Sequence, residues 1–141
     1  MKKTRLYIFV FLTSIFGVKE THAQSDFNKK KQHYIVLTKK TEQLNPIILA
    51  AKALALEDGE KHGEFHIVVC GKTVEDLINT VKMKPLITMA NQQDVKLFAC
   101  GFSLKKFNIN AQELPHPIKV VENGILYHFQ LQKKGFKSIT L

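Results

Sequence analysis

The chain has 141 residues, 45% of them hydrophobic and 23% charged, enough for one domain with a true core and too few for two ordinary ones. Its formal charge is +9 from 21 basic residues, of which only Arg5 is an arginine. Without arginine forks to read bases, and with lysines scattered in pairs such as Lys39-Lys40, Lys105-Lys106 and Lys133-Lys134, the pattern describes a solvated basic surface and argues against nucleic-acid recognition.

The first segment is set apart from the fold. Met1 to Arg5 is a basic leader, Leu6 to Val18 is an apolar run of 13 residues, and Thr21 and Ala23 supply small residues before a cut at Gln24. That is the layout of a secretory signal peptide, and the run is short for a membrane span. The expected organisation is a signal peptide at 1–23, a flexible leader at 24–33 and one domain at 34–141. The expected location is periplasmic or secreted, with no stable membrane insertion after cleavage. The processed chain would carry 17 lysines against 11 acids, a net of +6.

Tyr34 to Thr38 is apolar and β-branched in the middle, as in a strand buried on both faces. Lys39 to Gln43 is a turn without glycine, so it is neither a P-loop nor a dinucleotide fingerprint. Asn45 caps a helix with Pro46 at its first position; its apolar face is Ile47, Ile48, Ala51, Leu54, Ala55 and Leu56, and Gly59 or Gly63 ends it. Glu64 to Gly71 is a second strand bearing Cys70 at its end. Thr73 caps a short helix through Val81, with Glu75 and Asp76 in the first turn, and Pro85 starts another helix that turns Leu86, Ile87, Met89 and Ala90 inward.

Val95 to Ala99 is the third strand, closed by Cys100. A turn or two of helix at Leu104 to Phe107 leads into a loop stiffened by Pro115 and Pro117. Ile118 to Val121 is the fourth strand and Asn123-Gly124 a turn. A helix from Ile125 stops at Gly135, and Phe136 to Leu141 is the fifth strand. Alternation of strand and helix predicts a three-layer α/β/α domain with a mostly parallel five-stranded sheet.

The chemistry centres on Cys100. It stands at the carboxyl end of a strand and the amino end of the next helix, where open α/β sheets gather ligands and where unpaired N–H groups favour a thiolate. The histidines share no metal-ligand spacing, and no cofactor motif occurs, so neither metal nor cofactor is expected. His116, between two prolines, is a candidate to approach the thiol. Cys70 occupies the same kind of place as Cys100. It reads first as a core residue and second as a resolving partner. Were one strand to lie between them, about 9.6 Å would separate the two, beyond disulfide reach.

The turn Cys100-Gly101-x-Ser103-Leu104, followed by Lys105 to Ile109, Val120-Val121, Asn123-Gly124 and Leu131 to Phe136, resembles the DsrE/DsrF/TusD-like sulfur-relay family over about residues 34–141. Where that family often has glycine, Asn108 precedes Ile109, and asparagine tolerates a left-handed backbone. The resemblance implies a small α/β protein that forms homo-oligomers and exchanges sulfur with a donor or acceptor protein or a small thiol. It implies a sulfur carrier or sulfurtransferase with a persulfide on Cys100 in a turn with Gly101 and Ser103; Cys70 and His116 are supporting candidates from their own positions in the chain. The other expectation is a non-catalytic binding or oligomeric assembly module on the same fold.

Overall fold

The computed structural model describes residues 30–141; the segment expected to be a signal peptide and most of the expected leader lie outside them. Five strands, β1 (Gln32–Thr38), β2 (His62–Val69), β3 (Val95–Cys100), β4 (Lys119–Val121) and β5 (Lys137–Thr140), form one sheet in the order β4-β3-β2-β1-β5. Every pairing is parallel. The helices are α1 (Leu44–Asp58), α2 (Thr80–Gln92), α3 (Gly101–Lys106) and α4 (Gly124–Lys133). This is the three-layer α/β/α domain expected, with a sheet that is wholly rather than mostly parallel.

Strand order and handedness together decide the layers. From β1 to β4 the chain steps across the sheet in one direction, so right-handed crossovers put α1, α2 and α3 on one face. The return from β4 past β1 to β5 runs the other way, and the same handedness sends α4 to the opposite face. Side chains sort accordingly. Tyr34, Val36, Phe65, Ile67, Val69, Leu97 and Ala99 pack with Ile47, Ile48, Met83, Ile87 and Leu104. Ile35, Leu37, Val68, Cys70, Phe98 and Cys100 pack with Leu131 and Tyr127 of α4.

Several boundaries differ from expectation. Helix α1 begins at Leu44, fed directly by a 3-10 turn over Thr41–Gln43. Asn45 therefore does not cap it, and Pro46 takes the third helical position, where its missing N–H is still one the helix leaves unpaired. Gly59, at φ +55°, ends the helix, while Leu56 is exposed rather than on the inward face. The short helix expected from Thr73 is a 3-10 segment over Lys72–Ile78. Its Thr73 and Asp76 are drawn sideways instead: Thr41 N–H donates to Thr73 Oγ1 at 3.0 Å, and Lys82 Nζ meets Asp76 at 2.9 Å.

Asn79, accepting from Lys82 N–H at 3.0 Å, is the cap that starts α2. Pro85 consequently lies inside this helix rather than at its start. The bond it forfeits is to the carbonyl of Val81, whose residue is 85% exposed, so water can take that acceptor. Asn123-Gly124 is a helix start and not a free turn, because the Asn123 side chain accepts from the N–H groups of Ile125 and Leu126. Asn108 adopts φ +53°.

His66 is buried on the α4 face of the sheet. Its Nε2 meets Glu64 at 2.7 Å and its Nδ1 meets the Tyr127 hydroxyl at 2.8 Å, which ties α4 to β2. Burial lowers the affinity of His66 for a proton despite the glutamate. The Lys96 ammonium, 2.7 Å from Glu64, holds that carboxyl down to about 2 against partial burial, helped by His66.

Two measurements check this packing. In urea unfolding, Ile67→Ala should lose about 2–5 kcal/mol, and exposed Leu56→Ala should stay within about 0.5 kcal/mol of the parent. A carboxyl whose folded pKa lies below its unfolded one stabilises at pH above the unfolded value and ceases to as pH falls through the folded one. Between pH 4.5 and about 2, the parent should therefore lose more stability than Glu64→Gln, as read by urea midpoints at each pH.

Candidate functional site

Cys70 lies one residue beyond Val69, and Cys100 one residue beyond Ala99, and Val69 and Ala99 are register partners on adjacent strands. Both side chains point to the α4 face. They are neighbours, with no strand between them, and their thiols hydrogen-bond to one another. Each residue is 5% exposed. The site is on the carboxyl edge of the sheet, as read from sequence, but between β2 and β3 and not between β1 and β5, where the order of the strands reverses.

Two helix starts bring donors to Cys100. Gly124, first residue of α4, donates its N–H to Cys100 Sγ at 3.3 Å. Ser103, in the first turn of α3, contributes both its hydroxyl and its N–H. The Ser103 oxygen in turn accepts the Gly71 N–H at 2.8 Å, which leaves the hydroxyl hydrogen free for the sulfur. Gly71 takes φ +76°, a conformation that turns the chain sharply after Cys70 and favours glycine.

The two thiols are thereby made unlike. Burial alone would push Cys100 up, but the hydrogen bonds from Ser103, from the Gly124 N–H and from Cys70 outweigh it and bring the thiol below its ordinary value. Cys70 is pushed up to about 12, first by burial, then by the charge on Cys100 and by the hydrogen bond it donates to that sulfur, with Lys39 opposing. Of the two thiols, Cys100 is the one that ionises more readily, beside a Cys70 held in its protonated form.

Close approach dictates the glycines. A Cβ at Gly124 would meet Cys70 Sγ and, at 3.2 Å, Cys100 Cβ. At Gly101 a Cβ would stand 3.1 Å from the carbonyls of Val121 and Glu122, and the Phe102 N–H donates to that Glu122 carbonyl at 3.0 Å. These contacts seat the start of α3 against the end of β4.

Of the residues singled out in the sequence, Cys100, Gly101, Ser103 and Cys70 converge. His116 does not: it is exposed on the loop before β4, and its neighbour Pro117 lines a cleft with Asn91, Asp94 and Val95 at the amino end of β3, away from the thiols. Gly124 and Gly71 are the participants that sequence reading left as turn glycines. The signal for Gly124 was Asn-Gly directly ahead of an amphipathic run, a capped helix start following a strand. Among the described residues no group of three or more His, Cys, Asp and Glu is placed to hold a metal ion, and no helix is long and apolar enough to cross a membrane.

Iodoacetamide labelling should modify Cys100 before Cys70 in the native state. The Cys100 rate should persist below the pH at which an ordinary thiol stops reacting, and Ser103→Ala should move that limb to higher pH. Gly124→Ala should destabilise the fold by about 1–3 kcal/mol in urea, since the added methyl has no space beside the two sulfurs.

Comparison with known proteins places residues 30–141 under the model of the DsrE/DsrF-like family. Among curated proteins none matches. A solved structure, that of the protein of unknown function MTH1491 from Methanobacterium thermoautotrophicum, superposes with a TM-score of 0.66 at 16% identity. The superposition covers 78% of this chain and 100% of that one, and at such identity it speaks to the fold alone.

Proposed function

The chain belongs to the DsrE/DsrF-like family, and on that footing we propose that it carries sulfur as a persulfide on Cys100. The observation that carries the reading is the convergence of the Ser103 and Gly124 donors on one sulfur at a strand end. Such a thiolate attacks the outer sulfur of a donor persulfide. A new S–S bond forms on Cys100, the donor's own S–S bond breaks, and the donor leaves as a thiolate while the outer sulfur keeps its hydrogen. Delivery to an acceptor thiolate is the same step in reverse order. No general base is required once the nucleophile is ionised.

Docking is assigned to the rim above the thiol. Phe102, Ile125 and Leu126 are exposed at the starts of α3 and α4, and Phe129 one turn further along α4; the Phe102–Glu122 hydrogen bond draws the two starts together. A partner protein or a second copy of the chain would cover this apolar surface. The same surface supports the alternative, an assembly module that makes no use of the thiol. The basic leader and apolar run at the amino end favour work outside the cytoplasm.

Glutathione persulfide added to the reduced protein should produce an adduct of one sulfur mass that is absent from Cys100→Ser. A wild-type protein that stays unmodified, under conditions that load a control thiol, would turn the reading to the assembly module.

A further inference from the structure

Sulfur transfer through Cys100 leaves a second nucleophile unemployed beside it. Cys70 sits one residue past a register pair of adjacent parallel strands, on the same face as Cys100. Neighbouring strands run about 4.8 Å apart, inside the range of about 4.4–6.8 Å that a disulfide spans between α-carbons. The missing side chain of Gly124 leaves both sulfurs facing one small space roofed by backbone. Cys70 is a core residue placed within reach of Cys100.

We propose that Cys70 is the resolving cysteine of the site: it attacks Cys100 Sγ when Cys100 holds sulfur, closes a Cys70–Cys100 disulfide and expels the outer sulfur as sulfide. The proposal rests on the sulfur-carrying reading of Cys100. In the step, the Sγ–S bond of the persulfide breaks as the Cys70–Cys100 bond forms. The outer sulfur takes two electrons and departs as hydrogen sulfide with its own hydrogen and the one given up by Cys70. The two cysteine sulfurs are oxidised by the same two electrons. Return to the free thiols consumes a dithiol reductant, which leaves as its disulfide.

The electrostatics time the step. While Cys100 is a bare thiolate, its charge and the hydrogen bond it accepts help keep Cys70 protonated. Loading moves that charge one atom outward, and the Lys39 cation, which favours an ionised Cys70, remains. Resolution thus follows loading.

The full chain, reduced and then treated with glutathione persulfide, decides the matter by intact mass, peptide mapping and a sulfide trap. Wild type should pass from the adduct to a product two hydrogen masses lighter than the dithiol, with a peptide linking Cys70 to Cys100 and one sulfide per chain. Cys70→Ala and Cys70→Ser should hold the adduct about tenfold longer or more and release no sulfide. Adducts of equal lifetime in wild type and both variants, with no linked peptide, would overturn the resolving role and leave the carrier reading standing. Failure of all three proteins to load would bring down the carrier reading, and the resolving role with it. Diamide alone should also link the two cysteines in wild type; a fully folded protein that diamide leaves unlinked would refute the pairing.

Discussion

The handedness of a single crossover governs this molecule. Three helices that follow β1, β2 and β3 share a face because the chain advances across the sheet in one direction, and the fourth is sent to the other face because the chain then turns back. On its way from β4 to β5 that fourth helix must start above the carboxyl ends of β3 and β2. The two cysteines end those strands, and the alternation of a strand points both toward the arriving helix. The pairing of the two cysteines beneath the start of α4 thus arises from topology.

What the side chains add is asymmetry. Two thiols at hydrogen-bond distance cannot both ionise cheaply in a buried place, so the donors decide which one does. Ser103 and the first N–H of α4 reach Cys100; on Cys70 the opposing influence is the charge of Lys39. Lower down the same face, Glu64, His66 and Tyr127 form a hydrogen-bonded chain that fixes the middle of α4 against β2. The amino end of the helix is held above the sulfurs by that anchor and by the packing of Leu131.

Much of this could be read from the residues. Continuous apolar runs marked β1, β2 and β3, and the cysteine at the end of each of the last two was visible as the same kind of position. The cap formed by Asn79 and the place of Pro85 inside α2 were hidden because a proline is usually a helix start and here costs only one bond to an exposed carbonyl. Adjacency of β2 and β3 was beyond the residues because strand order depends on pairings distant in sequence. That one unknown separated a distance beyond disulfide reach from a direct contact, so the weight given to Cys70 turned on it. What packs around His66, polar in the middle of a strand, was not legible, since its partners come from β2 itself and from a helix more than fifty residues later.

The roof over the sulfurs is made of main chain. Among residue exchanges only proline would delete the donor supplied by Gly124 N–H, and its ring, like any other side chain there, would collide with the cysteines beneath. Surveys that replace one residue at a time would therefore record Gly124 as intolerant and credit it with shape alone. Its electronic share in ionising Cys100 would become visible only by altering the peptide bond itself, for example by replacing the amide with an ester at that point in the backbone.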